Sequence, residues 1–500
     1  MAVKSFAHEC GLHDAARQSA LARTAHLIEA SGVELVRFAW CDLHGMLRGK
    51  TLVASAAVKA MMSGVGMVST LLLKDSADHT AYKVFDGEFN AKGALALPGF
   101  GFAGNVMLLA NPASYQQLPW APKTGWLQCQ AWHTNGEPVE FDTRRILQKA
   151  LARLADAGYG MTCGLEIEFH IYKISNDQAA CQLDPMRADW PGPAPEVSLI
   201  HPGYHMLSEQ WADMADEPLR IVQRTAQALG LPLLSLEIEF GPSQVEAVFG
   251  ATDALRAADN MVLFRSAARQ ALRRAGYHAT FMCRPPFPCI MSSGWHLHQS
   301  LTDINTGSNA FVRSDSLPGS SVNDAQHILS PRGEQYLAGL LAHAHGMTSF
   351  CAPSINAYER FQPYALAPQA AVWGCDNRGA MLRVIGAAQD PATRIENRIG
   401  EPAANPYLYM AAQIHAGLDG IGRELTAPPA TAAPYGATSQ RLPASLSQAL
   451  QALNNDSAMN TGFGADVVAY FSRVKSLEIS RHDAADDKTE WYRREYFGRI

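Results

Sequence analysis

The sequence predicts a two-domain α+β protein, and three observations carry that prediction. The chain has 500 residues, 47% of them hydrophobic, enough to fill one large core and a smaller one. Near its start a helical repeat runs directly into a strand–turn–strand pattern. Farther on, three segments alternate apolar residues with glutamate or histidine at the period of a strand.

Each element can be justified in turn. Residues 13–30 repeat Leu12, Ala16, Ala20 and Leu27-Ile28 on one side, as a helix does. Residues 33–40 alternate, Asp42-Leu43-His44-Gly45 has turn composition, and 48–53 resumes an extended pattern, so a hairpin is expected. The Pro-rich stretch 111–123 is the expected linker, giving a small domain over 1–118 and a large one over 123–500. A helix then runs from an Asp142 N-cap through Ile146, Leu147, Ala150, Leu151 and Leu154 to a stop at Gly158. Next come the alternating segments. Residues 164–172 put Glu166 and Glu168 on one face, 235–240 do the same with Glu237 and Glu239, and 294–300 with His296 and His298. The stretches 181–203, 302–325 and 426–443 read as long surface loops.

Composition removes several classes of function. With 41 Lys+Arg against 47 Asp+Glu, the formal net charge of -6 supplies no basic field for nucleic acid. Nine cysteines form no CxxC pair, so reduced thiols in a cytoplasmic protein are expected. The N-terminus lacks a signal-peptide layout. The most apolar stretch, 94–110, is broken by Pro98, Gly99, Gly101 and Gly104, so no membrane association is expected.

A glutamate or histidine pair on a strand is ordinary on a solvated sheet face. Here four such elements share one chain: Glu166/Glu168, Glu239 with Glu246, His296/His298, and Arg394-Ile395-Glu396-Asn397-Arg398. Carboxylates gathered on one face repel unless cations lie between them, and oxygen ligands with an occasional imidazole suit Mg²⁺ or Mn²⁺. Arg360, Arg378, Arg383, Arg394 and Arg398 add planar forks suited to phosphate and carboxylate. Metals with arginines point to phosphoryl transfer, and no Walker-type loop is present.

Four segments, in order, resemble the signatures of the glutamine synthetase family: Gly164-Leu165-Glu166-Ile167-Glu168-Phe169, Glu239 to Glu246, Gly294-Trp295-His296-Leu297-His298-Gln299-Ser300, and Arg394-Ile395-Glu396 through Asn405-Pro406-Tyr407-Leu408. The resemblance implies an N-terminal β-grasp domain and a large catalytic domain with a curved antiparallel sheet. It also implies a homo-oligomeric ring, commonly a dodecamer, with active sites between subunits. Carried over motif by motif, Glu168, Glu239 and Glu246 would hold one metal and Glu166, His296 and Glu396 another, with two or three Mg²⁺ (or Mn²⁺) per site. His298 and Ser300 would lie along ATP, and Arg378, Arg383 and Arg394 would contact its phosphates. Arg360 would grip the acid's α-carboxylate, and Arg398 would hold its γ-carboxylate or the phosphate. Asp42 would reach into a neighbouring subunit and help deprotonate the amine. The implied chemistry is formation of an acyl phosphate from ATP and a carboxylate, followed by displacement of phosphate by an amine.

Two departures bear on substrate. Six positions after Arg360 the ammonia-using enzymes carry a glutamate, and this chain has Leu366. An apolar residue cannot attract ammonium but can receive a hydrocarbon. Trp373-Gly374-Cys375-Asp376-Asn377-Arg378 also looks like the branch that γ-glutamylates amines such as polyamines, ethanolamine, isopropylamine or aniline. In addition, Met291-Ser292 replaces the Asn-Gly that touches glutamate in the family, leaving Ser292 as the candidate contact. Tyr204 and Trp295 are expected to complete an apolar amine pocket with Leu366. The expected activity is therefore ligation of glutamate to a hydrophobic primary amine, aniline-like amines included; glutamine synthesis from ammonia and γ-glutamylation of polyamines are the alternatives.

Overall fold

The computed structural model describes residues 5–85, 100–177, 192–314, 328–362, 366–436 and 440–500. Parts of the three predicted surface loops and of the 94–110 stretch, together with Cys181, lie outside the described residues. The chain divides into two compact units, Met1–Arg145 with Ala228–Gly230, and Ile146–Gln227 with Leu231–Ile500.

In the first unit, the helix Ala15–Ala30 starts at Asp14, whose carboxylate accepts from Arg17 N at 2.8 Å. Its buried stripe is Ala20, Thr24 and Ile28, four residues apart. Leu27 is exposed instead; Thr24 takes the inward position because its hydroxyl donates to Pro112 O at 2.8 Å. Strands β1 (Leu35–Cys41) and β2 (Leu47–Val53) form the expected hairpin, with Trp40 opposite Arg48. The sheet is completed by β3 (Val65–Val68), β4 (Asn105–Ala110), β5 (Gln116–Gln117) and β6 (Thr124–His133), in the order β2-β1-β6-β4-β3, with β5 paired to β6. A parallel β1/β6 pair lies at its centre, and the helix Ala54–Ser63 follows the hairpin, as in a β-grasp.

The domain boundary differs from the sequence expectation. Residues 111–123 are not a divider, because β6 beyond them pairs with β1 and β4 and β5 pairs back onto it. Prolines mark the corner that returns the chain to its own sheet, and the first unit continues to Arg145. Asp142 ends it: one carboxylate oxygen accepts Arg145 N at 3.1 Å, starting the helix Thr143–Asp156, and the other accepts Ala131 N at 2.8 Å.

The second unit is built on nine strands: β7 (Tyr159–Asn176), β8 (Glu196–Leu199), β9 (Leu233–Ile238), β10 (Gln244–Asp253), β11 (Tyr277–Thr280), β12 (Trp295–Asp303), β13 (Trp373–Cys375), β14 (Leu382–Ile385) and β15 (Arg394–Gly400). The main path is β13-β14-β15-β12-β7-β10-β9, antiparallel except for β13/β14, with β8 and β11 also paired to β7. Register shifts in β10 and β12 supply the local twist that a curved sheet needs. One face is apolar and buried: Leu165, Ile167, Phe169, Val245, Ala247, Trp295, Leu297 and Ile395. Long helices complete the unit, including the largely buried Pro406–Gly422, which begins at Asn405 with proline in its first turn. Period two then sends the intervening glutamates and histidines to the other face, where pairing sets His296 opposite Glu166, His298 opposite Glu396, Glu246 opposite Glu168 and Arg383 opposite Glu396.

Candidate active site

Cross-strand pairing on β7, β10, β12 and β15 gathers the acidic side chains of the second unit into one cluster. Glu166 lies between two imidazoles, with Oε2 3.2 Å from His296 Nδ1 and Oε1 2.9 Å from His298 Nε2. His296 is also 3.6 Å from Glu168 Oε1 and 3.7 Å from Glu396 Oε1. Glu168 Oε2 accepts Gly294 N at 2.8 Å and Gln244 Nε2 at 3.1 Å. Fully buried Glu396 is held by Arg398 Nη1 and, at 3.0 Å, by Arg383 Nη1.

The electrostatics of this cluster are strained. Burial and the charges of Glu168 and Glu239 push Glu246 up to about 10; burial and Glu239 push Glu168 up to about 7. Burial also raises Glu239. Burial lowers His296 to about 4, aided by the Arg398 charge, so its imidazole is neutral at pH 7. Burial opposes ionisation of Glu166, but hydrogen bonds from His296 and His298 outweigh it and hold that carboxyl far below its ordinary range.

Imidazoles facing crowded carboxylates are the donor set of a hard divalent cation. The fit is specific: His296 Nε2 is buried without a hydrogen-bond partner. Among the described residues, two groups have ligand atoms all within 4.8 Å of one another, Glu166–His298–Glu396 and Glu166–Glu246–His296. The partition differs from the sequence expectation. His298, expected beside the nucleotide alone, stands in the first group, and Glu168 and Glu239 stand in neither. The reason is local: Glu168 is taken up by the Gly294 amide and Gln244, and Glu239 Oε2 accepts Phe240 N at 3.2 Å.

A cavity of about 380 Å³ adjoins the cluster. Glu166, His298, Ser300 and Arg394 line it together with apolar Leu234 and Phe249. Three expected nucleotide contacts, His298, Ser300 and Arg394, thus share one cavity, and Arg394 Nε donates to His298 Nδ1 at 3.1 Å. Arg383 and Arg378 do not line it. Arg383 is paired with Glu396 and with Asp376, whose Oδ1 accepts its Nε at 2.8 Å, and Arg378 is exposed in the turn after β13.

The acid-binding candidates lie along the same segments. Arg360 is buried and donates through Nη1 to Arg398 O at 2.9 Å and Gly400 O at 3.4 Å. No carboxylate pairs with it among the described residues, so it is a buried cation lacking an anion. Gly294 makes room for it, since a Cβ there would fall 2.4 Å from Arg360 Nη2. Arg398 Nη2 donates to Leu366 O at 3.2 Å, which ties the amine-pocket candidate to the arginine cluster. Leu366 is 55% exposed with φ at +52°, a left-handed backbone that costs a leucine about 1–2 kcal/mol. Ser292 Oγ accepts Arg284 Nη1 at 3.3 Å. Tyr204 is half exposed, edge-on to Phe240 at 5.6 Å, and donates its hydroxyl to Cys289 O.

Trp295 corrects the pocket drawn from sequence. It is wholly buried and packs edge-on against Tyr409 at 4.9 Å, so it walls no pocket. Strand parity is the reason: the residue before His296 faces the core. Sequence reasoning also missed Gln244, Arg284, Asp376 and Phe249. Gln244 was findable, because it shares the Glu246 face of β10 by period two; its amide donates to Glu168 and Ser293 Oγ. Phe249 shares the buried face of β10 with Val245 and Ala247, whereas Arg284 and Asp376 are placed by chain crossings that no periodicity encodes.

Asp42 stands in the first unit, in the turn between β1 and β2. Its Oδ1 accepts His44 N at 3.0 Å and Met46 N at 2.9 Å, and its Oδ2 accepts Arg48 Nε at 2.7 Å. Burial opposes its ionisation, but the Arg48 and His44 charges outweigh that and lower its pKa.

A nine-stranded sheet carrying a carboxylate–imidazole–arginine cluster defines a class of enzyme, and residues 140–495 match the catalytic domain of glutamine synthetase. The chain belongs to the glutamine synthetase family and is an ADP-forming carbon–nitrogen ligase. It is 39% identical to a γ-glutamylanilide synthase from an Acinetobacter species, with 94% of each chain covered. It is 29% identical to a γ-glutamylethanolamide synthetase from Streptomyces coelicolor (95% of each) and 28% identical to a glutamate–isopropylamine ligase from a Pseudomonas species (91% of this chain, 94% of the relative). Among solved structures, the GmaS–ADP complex superposes with a TM-score of 0.73 at 26% identity, over 94% of this chain and 98% of that one. No helix among the described residues is long and apolar enough to cross a membrane.

Proposed function

We propose that the protein forms a γ-glutamyl amide from glutamate and a hydrophobic primary amine, using ATP, through a γ-glutamyl phosphate. The observation that carries the amine assignment is Leu366, an exposed apolar side chain whose carbonyl is fixed by Arg398. The similarity to ligases of aniline, ethanolamine and isopropylamine supports the same reading. Burying about 100 Å² of amine hydrocarbon against such a wall is worth about 2.5 kcal/mol.

In this reading Arg360 receives the α-carboxylate, which supplies its missing anion, and Arg398 orients the γ-carboxylate. Ser292, carried by the backbone beside Gln244 and Glu168, adds a hydroxyl contact. The carboxylate oxygen attacks the γ-phosphorus of ATP and the bond to ADP breaks. Arg394, with Arg378 and Arg383, balances the charge moving onto phosphate. The amine nitrogen then attacks the acyl carbon, the C–O bond breaks and phosphate leaves. Asp42 of a neighbouring subunit, held ionised by Arg48, accepts the amine proton. Glu166, Glu168, Glu239, Glu246, His296, His298 and Glu396 would hold two or three Mg²⁺ or Mn²⁺, which supply Lewis-acid neutralisation of the triphosphate. A ring of subunits in the cytoplasm is the assembly that lets Asp42 act in trans.

The test is ADP release with ammonia, isopropylamine, ethanolamine and aniline, with the amide product identified by mass. Turnover with ammonia alone would refute the amine assignment. In addition, Leu366→Glu should shift preference towards ammonia, and an unchanged preference would show that Leu366 does not face the amine.

A further inference from the structure

Arg360 closes a short 3₁₀ segment, Ile355–Arg360. Such segments have poor internal hydrogen-bond geometry, and their leading N–H groups need partners from elsewhere. Here the partners come from two distant parts of the fold. Ser354 donates its N and its hydroxyl, each at 2.7 Å, to the two oxygens of Glu401, the residue that follows β15. Ile355 N donates to the Tyr496 hydroxyl at 3.2 Å. Tyr496 in turn donates to Glu478, which also accepts Lys475 Nζ at 3.1 Å. Glu478 and Lys475 lie on the helix Ala465–Ala484, and a pair between Arg481 and Glu495 ties that helix to the Tyr496 turn.

Ser354, Glu401, Lys475, Glu478 and Tyr496 are all buried. Ionic networks of this kind add little stability over a well-packed apolar core, because desolvation offsets the attraction. Their geometric consequence is clearer. The guanidinium of Arg360 is fixed by the Arg398 and Gly400 carbonyls at one end of β15, and the backbone leading to it is fixed by Glu401 immediately beyond. Both ends of the residue are therefore referenced to the strand that carries Glu396 and Arg398.

We propose that Glu401 and Tyr496 are positioning residues for acid-substrate binding: through Ser354 and Ile355 they fix the segment that presents Arg360. This rests on the reading of Arg360 as the α-carboxylate ligand. A binding arginine displaced by about an ångström loses much of its effect, so loosening the segment weakens glutamate binding selectively.

Tyr496→Phe keeps the ring and removes the hydroxyl. It should raise KM for glutamate roughly three- to tenfold, with KM for ATP and kcat within about twofold. Glu401→Ala should act in the same direction and more strongly. Glu401→Gln, which retains an acceptor for Ser354 N, should recover most of the loss. Ser354→Ala, a smaller change, tests the same anchor should the Glu401→Ala protein fail to fold. Lower melting temperatures in these variants with an unchanged glutamate KM would overturn the proposal, because a purely structural network moves stability and not substrate binding. Arg360→Lys separates the two readings. If it leaves glutamate KM unchanged, Arg360 is not the ligand. If it raises KM while Tyr496→Phe and Ser354→Ala do not, only the positioning role fails.

Discussion

Metal binding by the carboxylate cluster should be steeply pH-dependent, because the metal must displace protons. Glu246 lies at about 10 and Glu168 at about 7 in the metal-free protein, and both must ionise as the cluster fills. His296, lowered to about 4, is already neutral and adds no competition above pH 5. Between pH 6 and 8 the Glu246 proton alone changes affinity by about two decades and the Glu168 proton by about one more. The affinity for Mg²⁺ should therefore rise about a thousandfold over that interval. The sign for stability is opposite in the metal-free protein. Carboxyl pKa values raised by folding contribute stability in full below the unfolded value, and that contribution is lost as pH rises through about 7 and then about 10. Added Mg²⁺ should thus raise the melting temperature more at pH 8 than at pH 6. The assay is thermal unfolding against Mg²⁺ concentration without ATP at pH 6, 7 and 8. A midpoint that moves less than about tenfold, or moves the other way, would refute the assignment of protons to this cluster.

Further outcomes follow from individual contacts. Gly294→Ala places a Cβ 2.4 Å from Arg360 Nη2 and should raise KM for glutamate by about an order of magnitude while sparing ATP, as steady-state kinetics would report. Glu396→Ala leaves Arg383 and Arg398 buried without their shared carboxylate; turnover should vanish and urea unfolding should show a loss of about 3–5 kcal/mol. His343 bridges three helical segments, with Nδ1 2.9 Å from Asp456 and Nε2 2.7 Å from Asp419. Burial lowers its pKa, but the hydrogen bonds to those carboxylates outweigh it and raise the net value, so its contribution is full below about 6.5 and fades as pH rises through the folded value. His343→Gln should remove that part of the stability slope between pH 6 and 9, and melting curves with an unchanged slope would count against the bridge.

The local code was legible wherever one period controlled the outcome. Period two set Glu166, Glu168, His296 and His298 on one face of their strands, and the Asp42 turn between β1 and β2 followed from its composition. The ordered motifs carried the family and hence the ligase chemistry. The same period, applied strictly, also places Trp295 in the core, where it packs on Tyr409, and not in the pocket. The prolines of 111–123 signalled a corner, but a corner within a sheet and a boundary between domains have the same composition.

What the sequence by itself determined was the inventory: which carboxylates, imidazoles and arginines exist, which strands hold them, and the apolar Leu366 in place of a carboxylate. Only the tertiary structure decided their allegiance. Strand register brings His298 to Glu166 and Glu396, the Gly294 amide and Gln244 occupy Glu168, and Tyr496 reaches back across 141 residues to the amide that begins the Arg360 segment. The physical reason is that periodicity constrains the face a side chain occupies, whereas cross-strand register and chain crossings decide which faces meet.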